Sequence, residues 1–269
     1  MNKPKKSLGQ NFLKSEKIAQ EIVEAGEVGP EDVVLEVGPG KGILTEELLR
    51  KAKKVIAVEK DEQLVKLLKE RFKNNSKLEI IQGDILDPRI SNFQFSIFKK
   101  IFNDSIFKYK IIANIPYYIT SRFLRTFLES DNQPSLMVLM VQKEVAERIV
   151  GKLARRRGGE SLLSISVKAY GQPEIIRKVP ASYFSPAPKV DSAALKISGI
   201  SKEFFKDISE NKFFETVKKG FSQKRKMLIN NLRTQKEDFT ACNIGEKARA
   251  ENLSLEQWKC LIVNVKVSP

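Results

Sequence analysis

The chain has no histidine at all, two cysteines and a single tryptophan. Without imidazole there can be no Ser-His or Cys-His nucleophile pair, no His-ligated zinc or iron, and no side chain that titrates unperturbed near neutral pH. Cys242 and Cys260 stand 18 positions apart with neither a C-x-x-C pair nor other ligands at metal spacing, so no metal site is expected. Two late cysteines in 269 residues do not make a disulfide framework and read as reduced thiols of a cytoplasmic protein. Long apolar runs are missing too: no stretch approaches the roughly 18 uninterrupted residues of a membrane span. The leader from Met1 to Phe12 carries charge but no apolar signal core. The expectation is a cytoplasmic protein with no membrane partner.

Acidic residues are also in short supply, 33 Asp plus Glu against 48 Lys plus Arg, for a formal charge of +15. Such an excess favours polyanionic partners through phosphate contact and counterion release, although dispersed surface lysines alone would say little. The basic residues cluster. Lys3, Lys5, Lys6 and Lys14 share the leader without an acid, Lys152 and Arg155, Arg156 and Arg157 form a second run, and Lys218 to Arg233 holds six basic residues and no acidic one.

Apolar patterning gives the architecture. Ser15 to Ala25 reads as a helix stopped by Gly26, and Val33 to Val37 as a strand entering a glycine cluster. A helix around Leu44 to Leu49, a strand Val55 to Val58 ending in Glu59, a helix from Asp61 and a strand Leu78 to Ile81 ending near Asp84 follow. This rhythm means βαβ crossovers and a parallel sheet. Further strands are expected at Lys110 to Ala113, Leu136 to Val141, Leu162 to Ala169 and Ala193 to Ile197, with Ser91 to Lys108 as a surface helix or lid. Past residue 198 the pattern is helical only. The expected division is an α/β Rossmann-like domain over 1–197 and a small all-α domain over 198–269.

The glycines of Leu35-Glu36-Val37-Gly38-Pro39-Gly40-Lys41-Gly42 allow a ligand to lie against the backbone at the carboxyl end of the first long strand. Lys41 is followed by Gly42 and Ile43, which fails the Walker pattern, and Ile43 stands where a dinucleotide fingerprint needs its third glycine. A ligand without a pyrophosphate, such as S-adenosylmethionine, suits the motif. Glu59 ends the next strand, where an acid can accept hydrogen bonds from ribose hydroxyls, and Asp84 ends the third, where it could take an adenine amino group. Each acid alone would read as a solvated strand end; the three strand ends together point to a nucleoside.

Asn114-Ile115-Pro116-Tyr117-Tyr118 ends the fourth strand. The Asn114 oxygen and the Ile115 or Pro116 carbonyl can accept both N–H bonds of an exocyclic amine while Tyr117 stacks on its base. A sulfonium methyl donor is already activated, so this step needs no base near pKa 7.

Lys6 to Leu13, Leu35 to Gly42, Glu59, Gly83-Asp84, Asn114 to Tyr118, Val141 to Ala146 and Phe184 to Ser192 occur in the order found in the rRNA adenine N6-dimethyltransferases, which the chain resembles over nearly its whole length. Gly220 to Leu228 and Asn230 to Leu232 resemble the small-subunit, KsgA-type branch. Ala113 stands where the family often has Gly, and Tyr118 where Asn is frequent. The resemblance implies an S-adenosylmethionine-dependent methyltransferase fold and dimethylation of two adjacent adenines near the 3′ end of 16S rRNA in an immature small subunit, by a monomer. It implies that Asn11 and Leu13 close over the cofactor, that Gly38, Glu59, Asp84 and Asn114 bind it, and that Asn114, Pro116, Tyr117 and Phe184 hold the target, Phe184 as a second stacking wall. Arg155, Arg156, Arg157, Lys224, Arg225 and Lys226 are the expected RNA contacts. Two alternatives are the antibiotic-resistance branch acting on large-subunit rRNA and a non-catalytic RNA-binding relative.

Overall fold

Strands buried on both faces read as continuous apolar runs, and such runs form the middle of the sheet. In the computed structural model, which describes residues 4–5, 8–87, 108–151 and 159–264, the strands are β1 (Phe12–Leu13), β2 (Val33–Val37), β3 (Lys54–Glu59), β4 (Leu78–Gln82), β5 (Tyr109–Asn114), β6 (Leu136–Gln142), β7 (Gln172–Val179), β8 (Phe184–Ser185) and β9 (Ser192–Ser198). Seven of them make one sheet in the order β4-β3-β2-β5-β6-β9-β7, and β1 pairs antiparallel with β8 as a separate ribbon. From β4 to β6 the neighbours are parallel, with Val37 opposite Val58, Glu59 opposite Gln82 and Asn114 opposite Met140. The sheet is mixed rather than parallel throughout, because β9 returns antiparallel to β6.

The connecting helices are capped as the sequence suggests. The Ser15 hydroxyl accepts from the Ile18 N–H at the start of α1 (Glu16–Ala25), whose Ile18, Ala19, Ile22 and Val23 are buried. α2 (Ile43–Lys51) starts at Gly42, which lies in the left-handed region at φ 83°. Asp61 caps α3 (Glu62–Arg71), and α4 (Thr120–Leu128) follows a short 3-10 turn after β5. Leu48, Val34, Ile112, Val138 and Phe184 belong to one buried cluster behind the strand ends.

The chain divides into two compact units, 1–146 with 174–200 and 147–173 with 201–269. This differs from a single boundary at 197/198, since residues 147–173 group with the helical part. α5 (Lys143–Val150) spans the first change of unit. Leu162 to Ala169, expected as a strand, is instead α6 (Leu162–Lys168). Ser161 and Ser164 form a reciprocal capping box there, and satisfying two amide donors overrides the strand-like alternation of the residues. The alternating strand β7 was not anticipated. In the helical unit, α7 (Glu210–Gly220), α8 (Leu228–Leu232), α9 (Lys236–Ala241) and α10 (Leu255–Asn264) enclose Phe213, Leu228, Phe239 and Trp258. Cys242 and Cys260, read as reduced thiols, are disulfide-bonded: the end of α9 and the middle of α10 bring their Cα atoms to 5.7 Å, within bridging range. The expected helix or lid over Ser91 to Lys108 and the run Arg155 to Arg157 lie outside the described residues, except for Lys108.

Candidate active site

After β2 the chain steps outward through β3 to β4 and then crosses to the other side of β2 with β5. The carboxyl ends of β2 and β5 therefore flank a topological switch point, where open α/β sheets leave a crevice for ligands. A pocket lies there. Of the sequence-identified residues, Asn11, Leu13, Gly38, Glu59, Asp84, Asn114, Pro116 and Tyr117 all line it, together with Glu36 and Gly40.

Glycine is required at its floor. Gly38 and Gly40 have φ of 68° and 60°, and a side chain on Gly40 would come within 2.9 Å of the Phe12 ring. The turn is tied down by the Gly38 N–H donating to the Val58 carbonyl and by the Gly40 N–H donating to Glu59 Oε2, at 3.0 and 3.2 Å. Glu59 Oε1 accepts from the Asp61 N–H at 2.9 Å. Burial pushes the Glu59 carboxyl above its ordinary range, and these backbone donors oppose the shift. Each carboxylate oxygen carries two acceptor sites, so Glu59 keeps capacity for a ligand's hydroxyls while its rotamer is fixed. Asp84 accepts from the Leu86 N–H and from Lys60 Nζ, both at 3.0 Å. Partial burial raises its pKa, but these two groups and Arg122 outweigh that, and the carboxylate is held below its usual range.

Glu36 behaves differently. It is 1% exposed, and neither carboxyl oxygen has a hydrogen-bond partner among the described residues. Burial pushes its carboxyl up to about 8; the neighbouring Thr45 opposes this and the like charge of Glu59 adds to it.

The Asn114 Nδ2 donates to the Asn11 carbonyl at 3.1 Å, leaving Oδ1 as the amide's acceptor at the pocket. The Tyr117 hydroxyl and the buried Ser192 hydroxyl share a hydrogen bond at 2.5 Å, which anchors the hydroxyl end of the Tyr117 side chain. Phe184 is not among the residues that line this pocket, although its strand partner Leu13 is. It is 2% exposed and pairs with Leu13 across β8 and β1 inside the core cluster, because the ribbon that seats the leader turns this side chain inward. Residues 8–13 form one wall, with Lys41 Nζ 5.2 Å from the centre of the Phe12 ring.

Sequence reasoning did not assign Gln10, Asp61 or Ser192 to this region. Asp61 was legible as a helix start; the pairing of Ser192 with Tyr117, 75 positions away, left no local signal. Lys224, Arg225 and Lys226 are exposed in the turn between α7 and α8, in the other unit. Among the described residues no group of His, Cys, Asp and Glu could hold a metal ion, and no helix is long and apolar enough to cross a membrane.

Residues 1–266 match the family model of ribosomal RNA adenine dimethylase. The ribosomal RNA small subunit methyltransferase A of Dehalococcoides mccartyi is 41% identical over 98% of this chain and 89% of the relative. Among solved structures, the 23S rRNA methyltransferase ErmE is 25% identical with a TM-score of 0.74, covering 94% of this chain and 98% of that one. A dimethyladenosine transferase from Plasmodium falciparum is 27% identical with a TM-score of 0.72, covering 94% and 96%.

Proposed function

The chain belongs to the ribosomal RNA adenine dimethylase family, and from that premise we propose that it dimethylates two adjacent adenines near the 3′ end of 16S rRNA within an immature small subunit, acting as a monomer in the cytoplasm. It is an S-adenosylmethionine-dependent rRNA adenine N6-dimethyltransferase. Likeness of fold does not by itself favour the small subunit, since ErmE, a 23S rRNA methyltransferase, matches with a TM-score of 0.74. Identity of 41% over nearly the whole length to a small-subunit enzyme favours 16S rRNA.

The observation that carries the site reading is the convergence of Glu36, Glu59, Asp84 and Asn114 on one pocket. The residues fit S-adenosylmethionine: two glycines open the backbone, two strand-end carboxylates suit a ribose and an amino group, and the buried Glu36 carboxyl lacks a partner that a cationic ligand group would supply. When bound, that cofactor supplies an electrophilic methyl group. Glu59 would hold the ribose hydroxyls, Asp84 the adenine amino group and Glu36 the cationic end, with Asn11 and Leu13 excluding water. Asn114 Oδ1, with the carbonyl of Ile115 or Pro116, would accept the N6 hydrogens of the target adenine and aim its nitrogen. An amide is no base at neutral pH and the chain has no histidine, so Asn114 orients the amine and does not deprotonate it. Tyr117, steadied by Ser192, would stack on the base. Arg155 to Arg157 and Lys224 to Lys226 would contact rRNA phosphates.

Replacing Asn114 by Ala is expected to lower methyl transfer to immature small subunits by about 10²- to 10³-fold, with rRNA affinity unchanged. Equal losses in transfer and binding, or incorporation into large-subunit RNA by the parent enzyme, would refute the assignment.

A further inference from the structure

The leader wall of the pocket is tied to the body of the protein through one buried carboxylate. Asp61 has 4% of its side chain exposed. Its Oδ1 accepts from Lys5 Nζ at 2.9 Å and its Oδ2 from the Gln10 amide at 3.0 Å. Gln10 in turn accepts from the Lys5 backbone N–H at 2.7 Å, so Lys5, Gln10 and Asp61 close a ring of bonds at the front of residues 8–13. At the rear, these residues are held by the pairing of β1 with β8 and by the bond from Asn114 to the Asn11 carbonyl.

The same Asp61 reaches the cofactor pocket through Glu59. Its N–H donates to Glu59 Oε1, and its Oδ1 also accepts from the Gln63 N–H at the start of α3. Burial alone would raise the Asp61 pKa, but the Lys5, Gln10 and Gln63 donors outweigh it, so the group that bonds to the strap is a carboxylate. One residue therefore fixes the Glu59 rotamer, caps α3 and anchors the strap.

We propose that Asp61 is a positioning residue that latches Lys5 and the wall of residues 8–13 over the cofactor pocket, coupling closure of this strap to retention of the nucleoside held at Glu59. This rests on the reading of the pocket given above. Cofactor release then requires the strap to open at its front end, where the latch has one exposed cationic partner, Lys5, and one neutral one, Gln10. The rear end stays paired through β1 and β8.

The test keeps Asp61, and with it the cap of α3, and removes the partners on the strap: Lys5→Met with Gln10→Leu in the full-length protein, probed with S-adenosylhomocysteine. The latch variant is expected to bind this probe about tenfold more weakly, the worth of one charge-assisted and one neutral hydrogen bond, chiefly through faster release. Amide exchange of residues 8–13 should speed up, while the KM for rRNA stays at its parental value. Added salt should weaken the parent's affinity for the probe more than the variant's. Unchanged affinity and strap exchange in the latch variant, with affinity lost in Glu59→Ala, would overturn the latch alone. Parental affinity in Glu59→Ala would overturn the pocket reading beneath it.

Discussion

Glu36→Gln tests the electrostatics of the pocket most directly, because the buried Glu36 carboxyl lacks a hydrogen-bond partner among the described residues and is pushed up to about 8. Below about pH 4.5 the native and unfolded chains both hold this proton, and ionisation costs nothing. As the pH rises, the unfolded chain releases the proton while the native chain keeps it until about pH 8, so native stability falls across that window. The loss runs at about 1.4 kcal/mol per pH unit, or roughly 3 kcal/mol by pH 7. Glutamine has no ionisation cost but buries an amide without partners, about 1–3 kcal/mol at any pH. The pH dependence of the difference, rather than its absolute size, is therefore what the burial of Glu36 fixes. Urea denaturation followed by circular dichroism at pH 5, 6, 7, 8 and 9 should show Glu36→Gln gaining on the parent up to about pH 8 and levelling off above it. A gap that does not change with pH would refute the buried-carboxyl argument. If a cationic ligand group is what partners Glu36, the same variant should lose S-adenosylmethionine affinity at the pH where it gains stability.

Ser192→Ala and Tyr117→Phe remove the two ends of one hydrogen bond. Each should lower kcat about tenfold, the double variant no further than either single one, and S-adenosylhomocysteine affinity should hold; additive losses in single-turnover assays would show that Ser192 does not act through Tyr117. Neutralising Lys224, Arg225 and Lys226 together should flatten the log-log salt dependence of rRNA binding by about one unit per lost contact. An unaltered slope would mark this exposed turn as a solvated face.

Much of the first unit was legible because its signals are local. Val33–Val37 and Leu136–Gln142 are apolar runs long enough to be buried strands, and Ser15 and Asp61 announce their helices by capping chemistry. Glu59, Asp84 and Asn114 were identifiable because a parallel register places the ends of successive strands on one edge of the sheet. Leu162 to Ala169 misled because serines alternating with β-branched residues suit a strand until the capping box is counted.

The sequence by itself determined the element order from α1 to β4, the glycine turn, the acids at the strand ends and the family, all of which depend on neighbours in the chain and on the two-residue and 3.6-residue periods. Only the tertiary structure decided that Phe184 is core, that Ser192 holds Tyr117, that Cys242 meets Cys260, and that Asp61 joins a helix cap to a leader 56 residues away. These are pairings between distant segments, and their partners are chosen by packing and by the need to satisfy buried polar groups, neither of which has a period along the chain.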